Sequence, residues 1–131
     1  MTEEEFKART KQIALRIIRL VNALPRSGVS GVIGQQLLRS GTSIGANYRA
    51  ACRGKSRADV INKLAIVEEE ADESLYWIEL LIASEIVPEK KLRSLAKEID
   101  EIVRMTVASI QTLRSKSTSV TRGSSNPKSK I

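Results

Sequence analysis

Apolar residues recur at alternating intervals of three and four along four long stretches of the chain, and this spacing predicts four amphipathic α-helices. Such a stripe covers one face of a helix and leaves the opposite face in water. Because the connections between the stretches are short, we expect an all-α fold, an antiparallel up-down-up-down four-helix bundle. The first stripe consists of Phe6, Thr10, Ile13, Ile17, Leu20 and Leu24.

Capping residues and helix breakers indicate where these helices begin and end. Thr2 and Glu5 fit a capping box at the start of the first helix, and Pro25 follows its end. Ser30 and Ser56 are expected to cap the second and third helices. The fourth helix is expected to start near Pro88, because proline suits the first turn of a helix. The predicted helices cover residues 2–24, 31–53 and 57–84, with the fourth beginning near 88.

Composition changes at residue 116. Residues 116–131 are dominated by Ser, Thr, Lys, Gly, Asn and Pro, and they contain four Lys or Arg and no Asp or Glu. Such a segment has too few apolar residues to form a core, so we expect it to be disordered. The chain is therefore predicted to consist of a bundle at residues 1–115 and a basic tail at residues 116–131.

Glycines make the second helix unusual. Gly34, Gly41 and Gly45 each cost about 1 kcal/mol relative to Ala in a helix, so local propensity weakly opposes helix here. All three nevertheless share one face with the apolar residues of this stretch. We therefore expect them to let a neighbouring helix approach closely.

The residue types exclude most catalytic and metal chemistry. The chain contains no His, one Cys and four aromatic residues, so it cannot build a zinc finger, a disulfide framework or a His-based catalytic dyad. The acidic run at residues 68–73 has no His and no facing carboxylate on the second helix to complete a di-metal site. Cys52 is interpreted as a small core residue. We therefore expect a non-enzymatic protein with no metal and no cofactor.

The predicted location is the cytoplasm. Residues 3–5 are acidic, whereas a secretory signal begins with basic and then apolar residues. The longest uninterrupted apolar stretch, residues 80–83, is far shorter than the roughly 20 residues that a membrane span needs. No membrane association is expected.

Charge is distributed unevenly between the second and third helices. Residues 26–55 carry five Lys or Arg and no Asp or Glu, whereas residues 56–85 carry eight acidic and two basic residues. Three arginines of the second helix share one sector of its surface, and two further cations follow directly. A row of such cations is suited to contact the phosphates of nucleic acid. The candidate residues are Arg39, Arg49, Arg53, Lys55 and Arg57.

Two alternatives remain open for these cations. They could pair with the carboxylates of the third helix, either within one subunit or across a subunit interface. In the second case the protein would be a homo-oligomeric interaction scaffold whose arginines form subunit salt bridges. The basic tail could likewise contact nucleic acid or only improve solubility.

Additional apolar residues suggest self-association. On the third helix Ile66, Trp77 and Leu81 are expected to point away from the main stripe, and Ile18 widens the apolar arc of the first helix. Isolated exposed apolar residues are common, but a large aromatic such as Trp77 often anchors a subunit interface. We therefore predict a homo-oligomer with these four residues at its interface.

The segment LLRSGTSIGAN at residues 37–47 resembles the signature of the four-helix bundle proteins named for intervening sequences of large-subunit ribosomal RNA. The resemblance extends over about residues 6–115. It implies a left-handed bundle, commonly a ring of five subunits, with no catalytic residues and no cofactor. The chain also resembles the accessory protein of diversity-generating retroelements, which holds nucleic acid and a reverse transcriptase.

The chain departs from the family pattern directly after Asn47. The family often reads Ile-Ala-Glu-Gly there, whereas this sequence has Tyr48, Arg49, Ala50 and Ala51. An acidic residue is replaced and an arginine is added, so the second helix becomes more basic. Together, the basic charge of the second helix and the family resemblance predict an oligomer that binds structured RNA or other nucleic acid. A reverse transcriptase is a possible protein partner.

Overall fold

The computed structural model describes the backbone of residues 1–119 and the side chains of residues 1–116, and it confirms the all-α prediction. No strand occurs within that range. The four helices are α1 (Glu3–Ala23), α2 (Gly28–Cys52), α3 (Arg57–Ala83) and α4 (Glu89–Ser119).

Each helix packs against the next one along the chain, and α1 and α4 close the bundle through a sparser contact. The helices α1 and α3 are therefore diagonal, as are α2 and α4. This arrangement is the predicted antiparallel up-down-up-down bundle. It also places the amino end of α1 beside the carboxyl end of α2, so basic residues from both helices can meet there.

Two predicted helix caps are present. The Thr2 hydroxyl accepts a hydrogen bond from the Glu5 backbone N–H at 3.1 Å, and Ser56 accepts one from the Asp59 N–H at 3.1 Å. In the first cap the Thr2 hydroxyl also lies 3.3 Å from a Glu5 carboxylate oxygen. Side chains thus satisfy backbone donors that the first turn leaves free.

Two predicted boundaries are wrong. α2 begins at Gly28 rather than near residue 31, and Ser27 rather than Ser30 is its N-cap residue. Gly28 has a φ of +66°, a conformation that glycine adopts without strain, and this lets the chain enter the helix directly after the turn. α4 continues through Ser119 and therefore includes residues 116–119, which the composition predicts as part of the disordered tail. Of the predicted tail, residues 120–131 lie outside the described part of the chain.

The core register of α3 also differs from the prediction in its second half. The three-and-four spacing that continues from Val60 and Leu64 predicts Leu75 and Ile82 on the core stripe of α3. Both are only partly buried, and Ser74 and Leu81 are fully buried instead. The reason is polar: the Ser74 hydroxyl lies 2.9 Å from the hydroxyl of Ser40 on α2. One hydrogen bond joins the two hydroxyls, and each hydroxyl also lies within hydrogen-bond distance of a carbonyl of its own helix. A serine can therefore occupy a core position that an apolar pattern does not reveal.

Glycines bring α1 and α2 close together, as predicted. A Cβ atom at Gly41 would overlap the side chain of Ile17, and one at Gly45 would lie 3.1 Å from Oγ1 of Thr10. The contact at Gly45 also fixes the relative height of the two helices. It sets Thr10 level with Gly45 and therefore Lys7 near the turn that carries Arg49.

Candidate nucleic-acid interface

A groove of about 600 Å³ runs between α1 and α2 on the outside of the bundle. Its floor is made of small residues, among them Ala14, Gly45 and Ala46, because the helices approach closely there. Three cations line it: Lys7 and Lys11 from α1, and Arg49 from α2.

Two more cations extend this surface toward the end of the bundle. Arg53 lies one helical turn beyond Arg49, and Lys55 lies in the connection to α3; the side chains of both are exposed. We call the surface formed by Lys7, Lys11, Arg49, Arg53 and Lys55 the basic face.

The cations of the basic face are largely uncompensated. Among the described residues, no carboxylate lies within 4 Å of the charged nitrogens of Lys11, Arg49, Arg53 or Lys55. Lys7 has one acidic neighbour, Glu4, at 3.5 Å. That pair is exposed and contributes little, because water screens it and both side chains are long.

Some arginines elsewhere in the described part of the chain are paired, whereas Arg16, Arg19 and Arg26 also have no carboxylate within 4 Å. Arg9 bridges α1 to α4 through Glu98 and Glu101, and Glu98 raises its pKa most. The ion pairs on α4 join Arg93 to Glu89 at 2.5 Å and Arg104 to Asp100 at 2.8 Å. The basic face is therefore distinguished by the number of cations that it gathers around one groove, and not by their lack of carboxylate partners alone.

Arg39 is not part of the basic face. Its guanidinium pairs with Glu70 at 3.1 Å and with Glu73, both on α3. This is the pairing within one subunit that the sequence left open as an alternative. Arg39 also lies about 15 Å along the helix axis from Arg49, at 1.5 Å per residue. Arg57, the first residue of α3, is half-buried.

Sequence reasoning missed Lys7 and Lys11. Their spacing of four residues places both on one face of α1, which the sequence does show. It does not show which neighbouring helix that face meets. The contact between Thr10 and Gly45 decides it, because it turns this face of α1 toward α2.

The residues proposed for a subunit interface occupy different environments. Ile18 on α1 has 37% of its surface exposed, and Ile66 on α3 is half-buried. Trp77 packs partly against the core, and its indole N–H donates to a Glu73 carboxylate oxygen at 3.0 Å. Leu81 is fully buried in the core, so the prediction that it points outward is wrong.

The Glu73 carboxylate provides a pH-dependent link between α2 and α3. The Trp77 indole and then the Arg39 guanidinium hold the pKa of Glu73 below its ordinary value of 4.5. A lowered pKa stabilises the folded chain above about 4.5, and this contribution is lost as pH falls through the folded value. We expect Glu73→Gln to lower the melting temperature at pH 7, and we expect this difference to shrink as pH falls below 4.5. Thermal unfolding over this pH range checks this; a difference that stays constant would contradict it.

Cys52 and the acidic residues are the remaining groups that could take part in catalysis or metal binding. Cys52 packs partly against the core, as predicted, and burial raises the pKa of its thiol to about 11. No group of three or more possible metal ligands occurs in the part of the chain that the structure describes. Within the same part, none of the helices combines the length and apolar character that crossing a membrane requires.

Comparison with known proteins identifies a family and a similar solved structure. Residues 3–108 match the model of the 23S rRNA-intervening sequence protein family. The fold is similar to the crystal structure of a protein of unknown function from the S23 ribosomal protein family of Bacteroides thetaiotaomicron. The two chains are 38% identical with a TM-score of 0.78, and the match covers 85% of this chain and 99% of the other. No curated protein matches.

Proposed function

The chain belongs to the 23S rRNA-intervening sequence protein family, and from this premise we propose that it is a non-enzymatic, oligomeric bundle that binds structured nucleic acid through its basic face. The observation that carries the proposal is the set of cations without carboxylate partners on that face. Lys11, Arg49, Arg53 and Lys55 are exposed and free to approach phosphates. Clustered positive charge attracts a polyanion and releases its condensed counterions on contact.

The position of the carboxyl end of α4 also supports the basic face as the place where nucleic acid binds. Met1 and Thr2, which directly precede α1, share a cavity of about 250 Å³ with Tyr48 of α2 and with Ala108 and Ser109 of α4. The carboxyl end of α4 therefore lies at the same end of the bundle as Arg53 and Lys55. The residues that follow it in sequence include three more cations and no acidic side chain: Arg122, Lys128 and Lys130.

Self-association is the second part of the proposal. Ile18 lies on α1, whereas Ile66 and Trp77 lie on α3, the helix diagonally opposite. Two different patches on opposite sides favour a head-to-tail contact, in which one patch meets the other patch of the next copy. Such a contact closes into a ring when the rotation between copies allows it. A ring of five is the expectation from the resemblance.

A protein-interaction scaffold is the second candidate function. Glu69, Asp72 and Glu79 are exposed on α3 and form an acidic surface that could pair with the basic face of another copy. Charge reversal on the basic face would then lower the oligomer mass rather than the affinity for nucleic acid. A protein partner such as a reverse transcriptase would be compatible with both candidate functions.

Salt dependence tests whether phosphate contacts drive binding. We expect the affinity of the full chain for a fluorescently labelled RNA hairpin to fall by roughly 10²–10³-fold between 50 and 200 mM NaCl, because each of about five contacts contributes a slope near −0.9. Fluorescence anisotropy measures the affinity at each salt concentration. An affinity that hardly changes with salt, or no binding at 50 mM, would refute the proposal.

A further inference from the structure

We propose that the basic face selects double-stranded nucleic acid regardless of its sequence and binds unstructured single strands less tightly. This inference rests on the proposed function and specifies its ligand. The ligand is a duplex phosphate backbone, which RNA and DNA both supply. Three features of the structure lead to it: the positions of the aromatic residues, the polar groups of the groove, and the layout of the cations.

No described aromatic side chain is placed to stack on a base at the basic face. Phe6 and Tyr48 are buried and stack on each other, with ring centroids 4.1 Å apart. Tyr76 and Trp77 lie on α3, diagonally opposite α1 and beside the Glu73 carboxylate, which would repel phosphate. Proteins that hold single strands depend on such stacking platforms, so this face gains nothing from unpaired bases.

The two threonine hydroxyls that line the groove already donate to the backbone. The Thr42 hydroxyl donates to the Leu38 carbonyl at 2.7 Å, and the Thr10 hydroxyl donates to the Lys7 carbonyl at 3.0 Å. Sequence is read by hydrogen bonds to base edges from groups held in fixed positions. Because these hydroxyls have no proton left to donate to a base edge, the cations are the remaining donors of the groove. We expect them to contact phosphates, which carry no sequence information.

The cations form two rows, and this arrangement favours binding of a nucleic acid whose phosphates are closely spaced. Lys7 and Lys11 form one row on α1, with about 6 Å of helix rise between them. Arg49 of α2 and Arg53, the C-cap residue of that helix, form the other row at the same spacing in sequence. A duplex presents one negative charge per roughly 1.7 Å of its axis and releases more counterions per phosphate than a single strand does. A surface that reads only charge therefore binds the duplex more tightly.

Competition between defined nucleic acids tests the inference. We would measure the affinity of the full chain at 100 mM NaCl for 20-base-pair RNA and DNA duplexes, each in two unrelated sequences, and for unstructured single strands of equal length. The four duplexes should agree within about threefold and exceed the single strands by about tenfold. Tyr76→Ala should leave every affinity unchanged, because this ring takes no part in binding.

Several outcomes would overturn the inference while leaving the proposed function intact. These are single strands that bind as tightly as duplexes, a tenfold preference for one duplex sequence, or RNA duplexes that bind when DNA duplexes do not. A loss of single-strand affinity in Tyr76→Ala would also overturn it, since stacking would then contribute. Failure of the proposed function is distinguishable, because then no nucleic acid binds at all.

Discussion

The double variant Arg49→Glu, Arg53→Glu is expected to bind a structured RNA about 100-fold more weakly than the wild type at 100 mM salt. Each arginine forms a charge-assisted contact of about 1.5 kcal/mol, and about 1.4 kcal/mol corresponds to a tenfold change in affinity. Neither guanidinium is within 4 Å of a described carboxylate, so the substitutions break no ion pair among the described residues. Anisotropy titration with a labelled RNA hairpin measures the loss.

A matched control separates position from net charge. Arg93→Glu with Arg104→Glu changes the charge equally but lies on α4, where both arginines already pair with carboxylates. We expect the control to bind within about threefold of the wild type, since long-range charge effects are screened at this salt concentration. Equal losses in both variants would attribute binding to net charge. Unchanged binding in Arg49→Glu, Arg53→Glu would remove these residues from the interface.

Ile18→Asp is expected to dissociate the oligomer into single chains of 14.5 kDa. Ile18 is exposed in the single chain, so the substitution costs the bundle little, but it would place an unpaired charge in an apolar contact. Light scattering after size-exclusion chromatography measures the mass. Trp77 reports the same event, because its fluorescence emission should shift to longer wavelength when the partner surface is lost.

The control for this variant is Val29→Asp, which introduces the same charge at a residue with 64% exposure near the start of α2. It should keep the oligomer mass of the wild type. A wild type that is already a single chain would contradict the self-association proposal. An Ile18→Asp variant that keeps the wild-type mass would place the interface elsewhere.

Local signals in the sequence were sufficient for most of the fold. The apolar stripes predicted four helices, and the side chains of Thr2 and Ser56 cap α1 and α3 as expected. Both signals depend on residues within one or two turns of each other. The stripe of α3 misled in its second half, because the partner of Ser74 is Ser40, which lies 34 residues away and on another helix.

The candidate site was only half predictable for the same reason. Arg49 and Arg53 were identified from the charge of α2, but their partners on α1 depend on how α1 is rotated against it. Arg39 could equally have faced phosphate or carboxylate, and only the packing of α2 on α3 brings it to Glu70. Contacts between helices are set by packing, and a single sequence does not specify their rotation.

Lysine footprinting tests the location of the basic face most directly. The amines of the full chain would be acetylated with and without a saturating RNA duplex, and the modified positions quantified by mass spectrometry. Lys7, Lys11 and Lys55 should be protected by the duplex, whereas the exposed lysines of α4 should react equally in both samples. Protection of Lys90, Lys91 and Lys97 with no change at Lys7 and Lys11 would contradict the assignment of the basic face as the nucleic-acid interface.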